Sequence, residues 1–201
     1  ILAGLVFADE RRVEKPGQSI AETAAIEVRG ADHPWASRGG LKLAHALDHF
    51  KIDPTGLVCL DIGASTGGFT DVLLSRGAAR IYAVDVGRGQ LAWKLRQDPR
   101  VVVLESTNVR HLTPALVPEA PGVIVADVSF IGLEVALPAA LALALPGAWL
   151  VALIKPQFEV GKGRVGKGGI VREPDLHAEV CARIRAWLDD AGWPVPHLAV
   201  G

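Results

Sequence analysis

The chain has 201 residues, half of them hydrophobic, and a net charge of −1. That length suits one full domain with room for a fragment of a second, and a core of this size folds without disulfide or metal staples. The balanced charge excludes a polycation, so a nucleic-acid partner would be held by a local patch. Two cysteines outside any paired motif, Cys59 and Cys181, exclude a disulfide framework and point to reduced thiols and a cytoplasmic setting. No signal peptide opens the chain, which begins at Ile1 and contains no methionine, as an excised piece would.

Residues 1–30 alternate short apolar runs with turn residues, which predicts a small β hairpin. Gly30, Pro34 and Gly39-Gly40 mark 31–37 as a linker. From residue 38 onward strands alternate with helices. "LKLAHALDHF" has helical spacing, "GLVCLDIG" reads as a strand, and "GGFTDVLLSRGA" reads as a helix stopped by Gly77. "RIYAVDVG" is a second strand, "GQLAWKLRQ" a short helix and "RVVVLES" a third strand. "GVIVADVSF" and "AWLVALIKP" are the fourth and fifth. "EPDLHAEVCARIRAWLDDAGW" is a long amphipathic helix with Leu176, Val180, Ile184 and Trp187 on one face, and "PVPHLAVG" opens a further strand. The alternation predicts an α/β fold, a Rossmann-like doubly wound and mostly parallel sheet over 38–201.

Residues 135–154 carry no charge for 20 residues, about the length a bilayer requires. Pro146-Gly147 divides them, so the better reading is an apolar helix over about 132–145 followed by a buried strand. That strand ends on Lys155, as strands do where an open α/β sheet feeds a site.

Three groups of residues carry chemistry. In "LDIGASTGGFTDVLL" a buried strand enters a glycine-rich turn and then a helix. Gly63 allows the tight turn, and Gly67 and Gly68 allow a ligand to approach the helix N-terminus. The spacing is not that of a dinucleotide fingerprint, which disfavours a NAD-type dehydrogenase. Asp61, just before the turn, is placed as the acid that opens an S-adenosylmethionine site, where it accepts from the ligand's ammonium. Asp85 closes the next strand, where an acid takes ribose hydroxyls. Asn108 is either an adenine contact or a turn former. The third group gathers at strand ends: Asp127, Lys155, Glu159 and, from an earlier helix, Lys42. A lysine acts as a general base only where desolvation or a second cation lowers its pKa, and a carboxylate fixes its place. Two readings stand level, Lys155 as base or Lys155–Asp127 as a structural ion pair.

"SRGGLKLAHAL", "CLDIGASTGGFTDVLLSRGA", "IYAVDVGRGQL", "ADVSFI" and "LIKPQFEVGKGRVGKGGIV" together resemble the haemolysin-A (TlyA) family of FtsJ-like ribosomal RNA 2′-O-methyltransferases. The resemblance implies an S-adenosylmethionine-dependent enzyme that methylates ribose 2′-hydroxyls of ribosomal RNA or of a ribosomal subunit, without stable membrane association. It implies a catalytic tetrad of Lys42, Asp127, Lys155 and Glu159. It implies a cofactor site of Asp61, Gly63, Ser65, Gly67, Gly68, Phe69, Asp85 and Asn108. It also implies that 1–30 is part of an S-four-type RNA-binding domain.

Lys155, Lys162, Arg164, Lys167 and Arg172 lie among glycines and form a basic loop able to grip phosphates. Trp35 and Phe158 are candidates to stack on an unpaired base. His45 and His49 are four apart but lack a metalloprotease glutamate and a third ligand, so no metal site is expected. No G-x-S-x-G elbow supports a hydrolase. The alternative function is a haemolysin or membrane-active protein, which requires 135–154 to enter lipid.

Overall fold

The computed structural model describes residues 5–15, 17–28, 33–166 and 168–199, with only the backbone of Lys162. Gly30 of the expected linker, Lys167 of the expected basic loop and the chain's last two residues lie outside the described residues. The chain divides into two compact units, 1–34 and 35–201.

In the first unit three short strands, β1 (Val6–Ala8), β2 (Arg11–Arg12) and β3 (Ile26–Val28), form an antiparallel sheet in the order β2-β1-β3. Asp9 and Glu10 join β1 to β2 with positive φ at both positions, the conformation whose twist suits a two-residue hairpin. Asp9 also accepts from the Ala25 N–H at 2.9 Å, which ties the turn to the approach of β3. The expected hairpin is therefore present and carries a third strand.

The second unit begins at Trp35, slightly before the periodicity suggests. Helix α1 (Gly39–Phe50) leads to a sheet of five parallel strands: β4 (Val58–Ile62), β5 (Arg80–Val84), β6 (Val101–Leu104), β7 (Val123–Ala126) and β8 (Trp149–Ala152). Their spatial order is β6-β5-β4-β7-β8. The chain builds outward from β4 in one direction and then returns to the other side, so the switch point falls between β4 and β7. Side chains alternate along each strand. Leu60, Ile62, Ile124 and Ala126 face one layer with Leu133, Leu137, Val180 and Ile184. Cys59, Val123 and Val125 face the other with Leu43, Leu47, Val72 and Leu73. Both faces are covered, which is why these strands read as continuous apolar runs. Burial pushes the Cys59 thiol up to about 12, with the nearby Asp61 charge adding to it.

The stretch 135–154 is cut more finely than the sequence suggests. It holds the end of α4 (Leu133–Ala136), α5 (Pro138–Leu141) and β8. Pro138 lacks an N–H and so begins a new helix rather than continuing the old one. Among the described residues no helix is long and apolar enough to cross a membrane. The long helix α7 (Pro174–Asp190) buries Val180, Ile184 and Leu188, with Leu176 and Trp187 at its margins. The strand expected from "PVPHLAVG" is not formed over 194–199; Pro194 and Pro196 remove two of the donors a ladder would need.

Helix α2 (Gly68–Ser75) sits against the start of the unit. A Cβ on Gly68 would lie 2.3 Å from Ser37 Oγ and 2.9 Å from the Gly40 backbone nitrogen, and one on Gly40 would overlap the Trp35 side chain. The Ala36 N–H donates to Asp71 at 2.7 Å. Residues 35–37 are thus packed on the second unit rather than free. Because backbone blocks the space, Gly68→Ala should destabilise the chain by about 1–3 kcal/mol, read as a lower urea midpoint with an unchanged m-value.

Candidate active site

Parallel strands place every carboxyl end on one edge, and the chemistry-bearing residues collect there. Asp61 is the fourth residue of β4 and is fully buried on the α1/α2 face. One of its oxygens accepts from Thr70 Oγ1 at 2.6 Å; the other is buried with no partner. Burial, reinforced by the charges of Asp127 and Asp85 and opposed by the Thr70 hydrogen bond, pushes its carboxyl up to about 7.

Beyond β4 the glycine turn is tightly packed. A Cβ on Gly63 would come within 2.8 Å of the Asp127 carbonyl oxygen, and one on Gly67 within 2.2 Å of Leu95 Cδ1. Both glycines have positive φ. With Gly68, they serve close packing of the turn against its own neighbours. Ser65 also has positive φ, and its N–H donates to Asp85 Oδ2 at 2.8 Å. Asp85 Oδ1 accepts from the Gly87 N–H at 2.7 Å. Phe69 is buried in the α2 face of the core, with its N–H in the first helical turn, where no intrahelical acceptor exists. Asn108 behaves as a turn former: its Oδ1 caps a short 3-10 turn over Val109–His111 by accepting from the Arg110 N–H at 3.1 Å.

At the ends of β7 and β8, Asp127 lies between two lysines. Lys42 Nζ donates to Asp127 Oδ2 at 3.2 Å from the first turn of α1. Lys155 Nζ lies 2.5 Å from Asp127 Oδ1, a coulombic contact. Lys155 also donates to Ser129 Oγ at 3.0 Å. Lys155 is only 19% exposed and Lys42 is 53% exposed, so the first is fixed and the second reaches in from solvent. Lys155 precedes Pro156, the first residue of the short helix α6 (Pro156–Glu159), and its extended backbone is what a pre-proline residue adopts.

Glu159 is not drawn into that cluster. Its carboxylate accepts from the Leu133 N–H at 2.9 Å and from Arg183 Nη2 at 3.0 Å, and Arg183 also reaches Glu134 at 3.3 Å. The structure gathers Lys42, Asp127 and Lys155 through ion pairs, while the contacts of Glu159 run to Leu133 on α4 and Arg183 on α7.

The basic loop is likewise reduced. Arg164 forks onto Glu179 at 2.6 and 2.5 Å. Phe158 sits beside Lys155, whose Nζ is 6.0 Å from the ring centroid. Phe130 tilts against Phe158 at 5.0 Å, is 91% exposed and has φ of 65°, a strained conformation for a bulky residue. Trp35 is half-buried and packs at Gly40. Sequence reasoning missed Ser129, Phe130, Thr70, Arg183 and Glu105. Ser129 and Glu105 were findable, since each stands at or just past a strand's carboxyl end, where the other candidates were sought.

The FtsJ-like methyltransferase family matches residues 35–198. The "16S/23S rRNA (cytidine-2'-O)-methyltransferase TlyA" of Mycobacterium tuberculosis is 50% identical over 95% of this chain and 72% of its own length. The "Hemolysin A" of Brachyspira hyodysenteriae is 42% identical over 96% of this chain and 80% of its own. A solved structure of a hemolysin-named protein from Streptococcus thermophilus superposes with a TM-score of 0.81 at 44% identity, over 95% of this chain and 70% of that one. The chain belongs to the FtsJ-like methyltransferase family, and it is a methyltransferase.

The buried Asp61 carboxyl gives a test of the site's electrostatics. Its folded pKa lies above the ordinary carboxyl value of 3.8, so the folded state holds the proton more tightly than the unfolded state and stability falls as pH rises from about 4 through about 7. Asp61→Asn keeps an acceptor for Thr70 and removes that fall. The variant should gain on wild type by on the order of 2–4 kcal/mol between pH 4 and pH 8, measured by denaturant unfolding at both values. A constant difference across that range would contradict the assigned environment.

Proposed function

We propose that the chain transfers a methyl group from S-adenosylmethionine to a ribose 2′-hydroxyl of ribosomal RNA in the cytoplasm, with Lys155 taking the hydroxyl proton. The observation that carries the reading is Asp127 held between Lys42 and Lys155 on the sheet edge that also bears Asp61 and the glycine turn. The named activity of the Mycobacterium relative supports the substrate class. The first unit, with Arg11 and Arg12 exposed on β2, is read as part of an S-four-type RNA-binding module.

The residues present fit the donor. The unpartnered buried oxygen of Asp61 suits a ligand ammonium, the first N–H groups of α2 suit a carboxylate, and Asp85 retains acceptor capacity for ribose hydroxyls. Asp61, Ser65, Phe69 and Asp85 would therefore hold it, with Asn108 beside Asp85 through the Thr107 N–H to Asp85 carbonyl bond of 2.9 Å. When bound, the donor supplies a methyl carbon on a sulfonium, whose sulfur keeps the electron pair of the broken bond. The chain's own contribution is alignment and a proton acceptor. Lys155 Nζ, once it has given up a proton, accepts the hydroxyl proton as the ribose oxygen bonds to carbon, and the resulting ammonium is held by Asp127 and Ser129 where they already stand. Lys42 balances the charge of Asp127 and, being half exposed, meets the acceptor strand from the solvent side. The Phe130 and Phe158 rings beside Lys155 offer faces on which an unpaired base stacks.

Incubation with methyl-labelled S-adenosylmethionine and ribosomal RNA should leave label in alkali-resistant linkages. Lys155→Ala should lower the rate on the order of a hundredfold or more with donor affinity nearly unchanged. Lys155→Arg should not restore it, because a guanidinium stays protonated. A folded Lys155→Arg protein with near wild-type rate would make Lys155 a positioning group and move the base elsewhere.

A further inference from the structure

Between β5 and α3 (Trp93–Arg96) the chain crosses 85–92 with no helix or strand of its own. Backbone N–H groups in such a segment need acceptors. Three consecutive ones find the same carboxylate. Glu105, the residue after β6, accepts from the N–H of Gly89 at 2.7 Å, of Gln90 at 2.9 Å and of Leu91 at 3.1 Å. Arg96 completes the ring: its Nη2 bonds to Glu105 Oε1, and its Nε donates to the Leu91 carbonyl at 2.9 Å. Glu105 is 12% exposed, and the Arg96 guanidinium first, then the three amides, hold its carboxyl down at about 2. It is therefore an anion at any working pH.

Both ends of the segment belong to the donor site. Its start is Asp85, whose backbone carbonyl accepts from Thr107 at 2.9 Å, while the Gly87 carbonyl accepts from Ser106 at 2.9 Å. Its end is Leu91-Ala92, where the Ala92 N–H donates to the Thr66 carbonyl at 3.1 Å and Leu91 Cδ1 lies 2.9 Å from where a Gly67 Cβ would stand. One face of the glycine turn is thus set by Asp85 through Ser65, and another by Leu91 and Ala92. Asp85 Oδ1 grips the first part of the span at the Gly87 N–H, and Glu105, with its partner Arg96, grips the three amides of 89–91.

We propose that Glu105 is a positioning residue for the methyl donor: by gathering the amides of 89–91 it fixes the distance between Asp85 and the Leu91–Ala92 wall, and so holds the glycine turn ready before the donor arrives. The proposal rests on the donor reading of Asp61 and Asp85, and it goes beyond that reading by placing part of donor affinity in a residue on a different strand that does not itself contact the donor. A residue that merely props up the fold would move stability and every kinetic parameter together; a positioning residue for the donor moves one binding step.

The test uses the full chain and three readouts. In Glu105→Gln the carboxamide nitrogen confronts N–H donors and Arg96. Amide hydrogen exchange at Gly89, Gln90 and Leu91 in the ligand-free protein should speed up tenfold or more, with the core strands unchanged. Calorimetric affinity for S-adenosylhomocysteine should weaken about tenfold. KM for S-adenosylmethionine should rise similarly while kcat at saturating donor and KM for RNA stay within twofold. Arg96→Gln, which leaves the three amide contacts in place, should move the same readouts in the same direction by less, and it carries the test if Glu105→Gln does not fold. Faster exchange with unchanged donor affinity would overturn the proposal and leave the donor site standing. A rise in KM for RNA together with a fall in kcat would overturn it in favour of a general structural role. Wild-type protein that binds neither S-adenosylmethionine nor S-adenosylhomocysteine would overturn the donor reading itself, with exchange at 89–91 still slow.

Discussion

Five strands running the same way can end on only one edge of their sheet, and that constraint organises everything else in the second unit. A parallel sheet must be buried on both faces, so its strands have no polar face on which to carry chemistry. Polar groups are admitted where the ladder stops. Asp61 one residue before the end of β4, Asp85 after β5, Glu105 after β6 and Asp127 after β7 therefore lie along one rim. Four carboxylates on one edge repel unless each is neutralised in its own way. Asp127 has two lysines, Glu105 has Arg96 and three amides, and Asp85 has two backbone N–H groups. Asp61 has Thr70 and no cation among the described residues, and burial pushes it toward its neutral form.

The order of these solutions along the rim follows the chain reversal between β4 and β7. The group that stays least satisfied, Asp61, sits on the strand at the switch point, with Asp127 just past the end of the neighbouring strand. The gap between them is set by backbone, because Gly63 packs against the Asp127 carbonyl with no room for a side chain. Small residues at the turn thus keep Asp61 and Asp127 in register. Lys155 can stand at the end of an apolar strand for the same reason: Asp127 meets it where the strand leaves the core.

Much of this was legible in the sequence, because parallel strands announce themselves as unbroken apolar runs and their ends as the first acid after each run. Asp61, Asp85, Asp127 and Lys155 were found that way. What the sequence did not show had local causes. Glu159 is four residues after Lys155, but α6 turns it toward Arg183, a partner 24 residues on that spacing does not reveal. Arg164 counted as a loop cation until Glu179 on α7 claimed it. The glycines at 67 and 68 were read for ligand approach, and their tight contacts are with Leu95 and with Ser37 and Gly40. Each of these contacts is with a tertiary neighbour, and such neighbours leave no period in the sequence.

The isolated oxygen of Asp61 has a thermodynamic consequence. A carboxyl poised near neutrality is partly protonated in the free protein, and a cation docking against it favours the carboxylate. Filling that position then expels a fraction of a proton into solution. Binding becomes an ion exchange as well as an association, so its heat includes the ionisation enthalpy of whichever buffer receives the proton, and the same event measured in two buffers yields two enthalpies and one free energy.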